Sequence, residues 1–241
     1  MNLRYLLLIS SLLTASMFQS LSSAQYPAAE RLRAQCDRDN AFDCFSLGLM
    51  YEDGRGVEQD LFEAEKLFRK ACDKGLARGC SSLGWMYETG TGVTQDLFQA
   101  TEFYRKACAG GTAIPLMVNE TGCFNLGVMY ADGKGVTQDF VQAVAFYRKA
   151  CDRGHAKACG NLGVMYFKGS GITQDSLQAV ELFRKACDQG EATGCNNFGV
   201  MHEQGAGVRQ SNSDALSFYG KACDMKDEKG CKNYARVKSQ K

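Results

Sequence analysis

The sequence is poor in helix breakers, in histidine and in charge imbalance. Only two prolines occur in 241 residues, Pro27 and Pro115, so almost nothing interrupts the hydrogen bonding of a helix. Lys and Arg number 28 against 27 Asp and Glu, a formal charge of +1. That balance gives no electrostatic reason to expect nucleic acid or an anionic membrane as partner. The two histidines, His155 and His202, lie far apart. Zinc hydrolysis needs about three His, Asp/Glu or Cys ligands per metal, so neither metal nor cofactor is expected. No S-x-x-K and no G-x-S-x-G occurs, which removes the common activated serines.

Apolar residues make up 45% of the chain, enough for a sizeable buried core. The N-terminus combines Arg4, a short apolar run from Tyr5 to Leu13, and Ser22-Ser23-Ala24 ahead of Gln25. This order predicts a secretory signal over residues 1–24, because the run is too short to span a bilayer. A mature chain of residues 25–241, secreted or periplasmic and with no membrane span, is the expectation. In an oxidising compartment, twelve cysteines in evenly placed pairs read as disulfides.

Those pairs are Cys36–Cys44, Cys72–Cys80, Cys108–Cys123, Cys151–Cys159, Cys187–Cys195 and Cys223–Cys231. The first cysteine returns at a fixed interval, broken once by seven extra residues after Cys108. A fixed period of this size signals stacked supersecondary units. Each unit opens on Leu-Gly-x-Met-Tyr, as in Leu47 to Tyr51, with Leu and Tyr four apart on one helix face. Its glycine costs up to about 1 kcal/mol of helix propensity, which predicts close approach of another helix. A glycine-bearing loop follows, with one Val or Ile aimed at the core (Val57, Val93, Val136, Ile172, Val208).

Asp60, Asp96, Asp139, Asp175 and Ser211 then stand at the N-cap of a second helix. Glu63, Gln99, Gln142, Gln178 and Asp214 follow three residues later, as in a capping box. The Arg-Lys pairs ending that helix (Arg69-Lys70, Arg105-Lys106, Arg148-Lys149, Arg184-Lys185) read as solvated cations complementing the helix dipole. Eight residues of unbroken helix would hold two cysteines about 12 Å apart, beyond disulfide reach. Gly75, Gly111, Gly154 and Gly190 break the helix between them, so each bridge should clip one unit to the next. Asp39 and Lys226 occupy that position in the first and last links.

The grammar A-x-x-x-L-G-x-x-Y, G-x-G-V-x-x-D and A-x-x-x-[FY]-x-K-A resembles Sel1-like repeats, relatives of tetratricopeptide repeats, over about residues 36–234. With a cysteine at each helix-turn-helix it is similar to the cysteine-rich Hcp-type subfamily of secreted bacterial proteins. The resemblance implies an all-α, right-handed α-solenoid of about five repeats with terminal half-repeat caps, one disulfide per repeat and a concave groove. Members are described as penicillin-binding proteins or weak β-lactamases, and others as secreted host-interaction proteins. A β-lactam or a cell-wall-derived ligand is therefore the alternative to a peptide or protein ligand, and a monomer is the expected state.

In such a solenoid, equivalent positions align as ladders. Ser46, Ser82, Asn125, Asn161, Asn197 and Asn233 precede each Leu-Gly and form a candidate groove ladder, since an amide both donates and accepts. Met129 and Met165, four residues on, are either adaptable groove contacts or inter-helix core. The insertion carries apolar Ile114, Leu116 and Met117, which either meet a partner or fold back onto the solenoid. His155 is expected to be solvated and His202 to be packed in the core.

Overall fold

The computed structural model describes residues 27–110 and 119–240, and among them every regular element is helical. The helices are α1 (Pro27–Asp37), α2 (Ala41–Asp53), α3 (Leu61–Asp73), α4 (Ala77–Thr89), α5 (Leu97–Ala109), α6 (Glu120–Asp132), α7 (Phe140–Asp152), α8 (Ala156–Lys168), α9 (Ser176–Asp188), α10 (Ala192–Gln204), α11 (Asn212–Asp224) and α12 (Glu228–Lys238). Each packs on the next, and α4 also meets α6, α8 meets α10 and α10 meets α12. The predicted solenoid of helix pairs is thus the fold, with α1 and α12 as half-unit caps. The signal segment 1–24 and the insertion residues Ile114, Leu116 and Met117 lie outside the described residues.

The costly glycine of each first helix has a specific partner. A Cβ on Gly48 would lie 2.6 Å from the Phe68 ring, on Gly127 2.7 Å from Tyr147, on Gly163 2.7 Å from Phe183 and on Gly199 2.8 Å from Tyr219. The small residue admits the aromatic of the second helix, and the pair closes one hairpin. Tyr104 and Tyr219 are fully buried, and each hydroxyl donates to a carboxylate, Glu88 and Glu203, both at 2.6 Å. Burial and the adjacent carboxylate push both phenols well above their ordinary pKa.

All twelve cysteines are bridged in the predicted neighbouring pairs, with Cα–Cα distances of 4.4 to 4.7 Å. Asp39 and Lys226 adopt φ of 67° and 65°, the left-handed geometry that glycine supplies in other links. Lys74 pairs with Asp39 at 2.9 Å, and its hydrogen bond, helped by its charge, holds that carboxyl below its ordinary pKa. The insertion leaves the repeat frame intact. Asn119 N–H donates to the Ala107 carbonyl, as Leu76 does to Ala71 and His155 to Ala150.

Two local expectations are corrected. The N-cap side chains do accept from the helix N-terminus, as Asp139 does from Val141 and Gln142. The reciprocal half of the capping box is absent, because each N-cap N–H is already committed. Asp60, Asp96, Asp139, Asp175 and Ser211 donate it to the carbonyls of Tyr51, Tyr87, Tyr130, Tyr166 and His202. The residue just before the cap does the remaining work. Gln59, Gln95, Gln138, Gln174 and Gln210 donate Nε2 to a carbonyl in the last turn of the first helix, at 2.7 to 2.8 Å.

The arginine of three Arg-Lys pairs is likewise not merely solvated. Arg69, Arg105 and Arg148 donate to the tyrosine hydroxyl of the next unit, Tyr87, Tyr130 and Tyr166, at 2.8 to 3.0 Å. Arg33 of the cap α1 does the same with Tyr51. These struts complement the disulfides as ties between units. At the last joint His202 replaces the tyrosine, and Arg184 turns to Glu181 instead.

The C-terminal cap is held by Arg236, whose two NH groups donate to Glu203 at 2.7 Å each. That fork, with the Tyr219 hydroxyl, holds the Glu203 carboxyl below its ordinary pKa. A depressed carboxylate contributes stability above its unfolded pKa of about 4.3, and loses it as pH falls through the lower folded value. Hydrogen-exchange protection of α12 is therefore expected to fall selectively below about pH 4. Glu203→Gln should show the frayed α12 already at neutral pH, and equal protection in the two proteins would refute the clamp.

Candidate functional site

First helices of neighbouring units approach one another, α4 with α6, α8 with α10 and α10 with α12. Two clefts open between them. The larger, about 580 Å³, is bounded by Glu52 at the end of α2, Leu61 at the start of α3, Ser82 and Trp85 of α4, and Asn125 of α6. The smaller, about 260 Å³, lies between Phe124 of α6, Asn161 and Val164 of α8, and Thr193 and Asn197 of α10. Both sites sit on helix faces fixed by bridges and glycine packing, so their side chains are presented by a rigid frame.

The predicted ladder is divided by this geometry. Ser82, Asn125, Asn161 and Asn197 line the clefts. Ser46 turns its hydroxyl back to the Phe42 carbonyl at 2.8 Å. Asn233 donates to Asn196 at 2.8 Å, where the end of the solenoid pairs with itself. Asn125 and Asn161 also lie near the hydroxyls of Tyr104 and Tyr147.

Of the two alternatives for Met129 and Met165, groove contact or inter-helix core, the structure takes the core. Met129 is 0% and Met165 8% exposed. The methionine position faces between the two helices of a unit, where an unbranched thioether fills the gap beside glycine. The ladder four residues earlier reaches the surface because the helix face turns as it leaves the hairpin seam.

His155 is also corrected, from solvated to half-buried. Its Nδ1 accepts from Ala158 N–H as the N-cap of α8, and its ring stacks on Phe124 at 4.4 Å. Burial lowers its pKa, so the neutral ring that can accept this bond is favoured. His202 is packed as expected, between Phe198 and Phe218. Among the described residues no group of three His, Cys, Asp or Glu is placed to hold a metal ion. No helix among them is long and apolar enough to cross a membrane.

Trp85 is the residue that repeat reading passed over. It is the single tryptophan of the chain and is 43% exposed in the larger cleft. Its signal is visible in the repeat alignment: the variable position of Leu-Gly-x-Met-Tyr is Leu49, Trp85, Val128, Val164 and Val200. One large aromatic among aliphatics marks the unit that differs.

Comparison with known proteins places this architecture. A solved protective antigen of uropathogenic Escherichia coli, described as displaying an SLR fold, is 32% identical with a TM-score of 0.80 over 87% of this chain. The chain spans only 43% of that antigen's length. A Sel1 repeat protein from Oxalobacter formigenes is 26% identical with a TM-score of 0.72, covering 88% of this chain and 86% of its own. Helicobacter pylori cysteine rich protein B is 27% identical over 59% of this chain and 97% of its own, with a TM-score of 0.44. No curated protein sequence matches the chain. Sel1 repeats are matched at residues 41–76, 77–112, 121–155, 156–191 and 192–227, and the chain belongs to the Sel1 repeat family.

Proposed function

We propose that this protein is a disulfide-stabilised scaffold of an oxidising, extracytoplasmic compartment that binds an extended peptide or protein segment along its inner face. The observation that carries the reading is the alignment of Ser82, Asn125, Asn161 and Asn197 on successive first helices, lining two open clefts. An extended peptide exposes N–H and C=O groups along its length, and an amide ladder can answer both. Repeat solenoids commonly bind through such continuous surfaces. Six bridges support the compartment, since structural disulfides persist where thiols are not kept reduced.

Replacing Asn161 and Asn197 together with alanine should weaken capture of a bound peptide about 10-fold or more, at roughly 1 kcal/mol per lost hydrogen bond. The helical signal should stay unchanged, because both side chains line the cleft rather than fill the core. Undiminished capture would assign these amides to surface support alone. β-Lactam hydrolysis gains no cysteine or histidine from the site: the cysteines are bridged, and both histidines are used in capping and packing. Turnover of a chromogenic cephalosporin that tracked the folded protein would overturn the non-enzymatic reading.

A further inference from the structure

We infer that the cleft around Trp85 is a pocket for a cationic side chain, so that the bound segment places a lysine or arginine there. This deepens the peptide-binding reading above and rests on it. The cleft offers an indole that is 43% exposed, with Leu61 as an apolar wall. It carries two carboxylates, Glu52 and Asp53, and no lysine or arginine among the described residues that line it. Asp53 is neutralised by Arg55 of the adjacent loop. Glu52 has no ion-pair partner among the described residues, and burial raises its pKa, so its charge is left poorly solvated. Such a carboxylate gains from an incoming cation.

Around this pair stand short hydroxyls and an amide, Ser82, Thr91 and Asn125. They can accept the remaining N–H bonds of an ammonium or guanidinium. An aromatic face, an apolar wall for the methylene stem and an unpaired carboxylate together match the two halves of a Lys or Arg side chain. The smaller cleft has a different character. There Lys157 stands on the wall, and the Glu191 carboxylate is consumed by the N-terminal N–H of Gly194. A cation preference is therefore a property of the Trp85 end alone, and it would set the direction in which a segment lies.

The test is selection of displayed random twelve-residue peptides on the intact oxidised protein, followed by titration of the selected peptides. Trp85 is the sole tryptophan, so its fluorescence reports occupancy of this cleft without a label. The expected pool is enriched in Lys or Arg at one position, shifts Trp85 emission, and binds more weakly at high salt. Glu52→Gln and Trp85→Leu, both titrated by anisotropy of dye-labelled peptide, should each lower the affinity of that pool about 3- to 10-fold and relax the preference at that position. Both changes are partly or fully exposed, and circular dichroism confirms folding in each. A pool with no cation preference, or one whose preference survives both substitutions, overturns the cation pocket and leaves the groove reading standing. A wild-type protein that selects no peptide overturns both.

Discussion

Complete reduction of the six disulfides is expected to remove the cooperative fold. In the loop-entropy account each eight-residue separation contributes about 2.6 kcal/mol by restricting the unfolded chain, and the wider Cys108–Cys123 loop about 3 kcal/mol. The six loops do not overlap in sequence, so their contributions add to about 16 kcal/mol. The whole stability of a folded domain is about 5–15 kcal/mol. The bridges are therefore of the same order as everything left over after conformational entropy is met. Most of the sulfurs are buried, with Cys44, Cys123, Cys159 and Cys195 at 0% exposure, so reduction requires denaturant. Protein reduced and alkylated in urea, then returned to buffer, should lose most of its helical circular dichroism and its sharp urea transition. Recovery of the oxidised midpoint would show that packing and the Arg–Tyr struts suffice without the clips.

Loss of one clip is a milder experiment with a directional outcome. Nearest neighbours carry the coupling in a linear array. Cys151→Ser with Cys159→Ser should therefore loosen the joint between α7 and α8, and leave amide protection in α2 and α3 near its original level.

Gly135→Ala is the point substitution with the largest expected cost. Gly135 holds φ of 66°, the left-handed region that a side chain enters at about 1–2 kcal/mol. Its added Cβ would stand 2.9 Å from the Phe98 backbone nitrogen and closer still to the Leu97 carbonyl, at the start of α5. Backbone cannot rotate away as a side chain can, so overpacking adds a further 1–3 kcal/mol. A total near 3 kcal/mol should appear as a clear drop in the urea midpoint. Gly56 is the matched control, with φ of 72° at the same loop position of the first unit. No full unit precedes it, and its Cβ would meet only the flexible tip of Met50, at 3.2 Å. Gly56→Ala should therefore show the conformational part alone, about 1 kcal/mol. Equal losses at the two sites would mean that the loop does not seat on the preceding unit.

The comparison of these two glycines separates what is local from what is not. The 36-residue recurrence of Cys, Leu-Gly and Asp is a property of the chain alone. It determines the number of units, the helix boundaries, the pairing of cysteines and the need for positive φ at Asp39 and Lys226. All of these depend on neighbours a few residues away, and near neighbours are legible in a string. The helix faces were only half legible. A pattern of i and i+4 places the Asn and Met positions on one side of a helix, yet Asn161 lines a cleft while Met165 is buried. A periodic pattern gives the spacing of a face and not its aim.

The tertiary structure alone decided the contacts that cross between units. The N-cap N–H of Asp139 is used by the Tyr130 carbonyl, so the reciprocal capping bond expected from Gln142 has no donor to accept from. Arg148 reaches Tyr166 because stacking brings the end of one second helix against the next first helix. Trp85 became a candidate for the same reason. Its unit is one copy of the repeat in the sequence, but stacking sets its indole in one cleft with Glu52 and Asn125, contributed by the units on either side. The sequence of this protein determines a stack of clipped hairpins; which side chains meet across the clips depends on how each hairpin is rotated against its neighbour, and that rotation is fixed by close packing of Gly92, Gly135, Gly171 and Gly207 on the preceding unit.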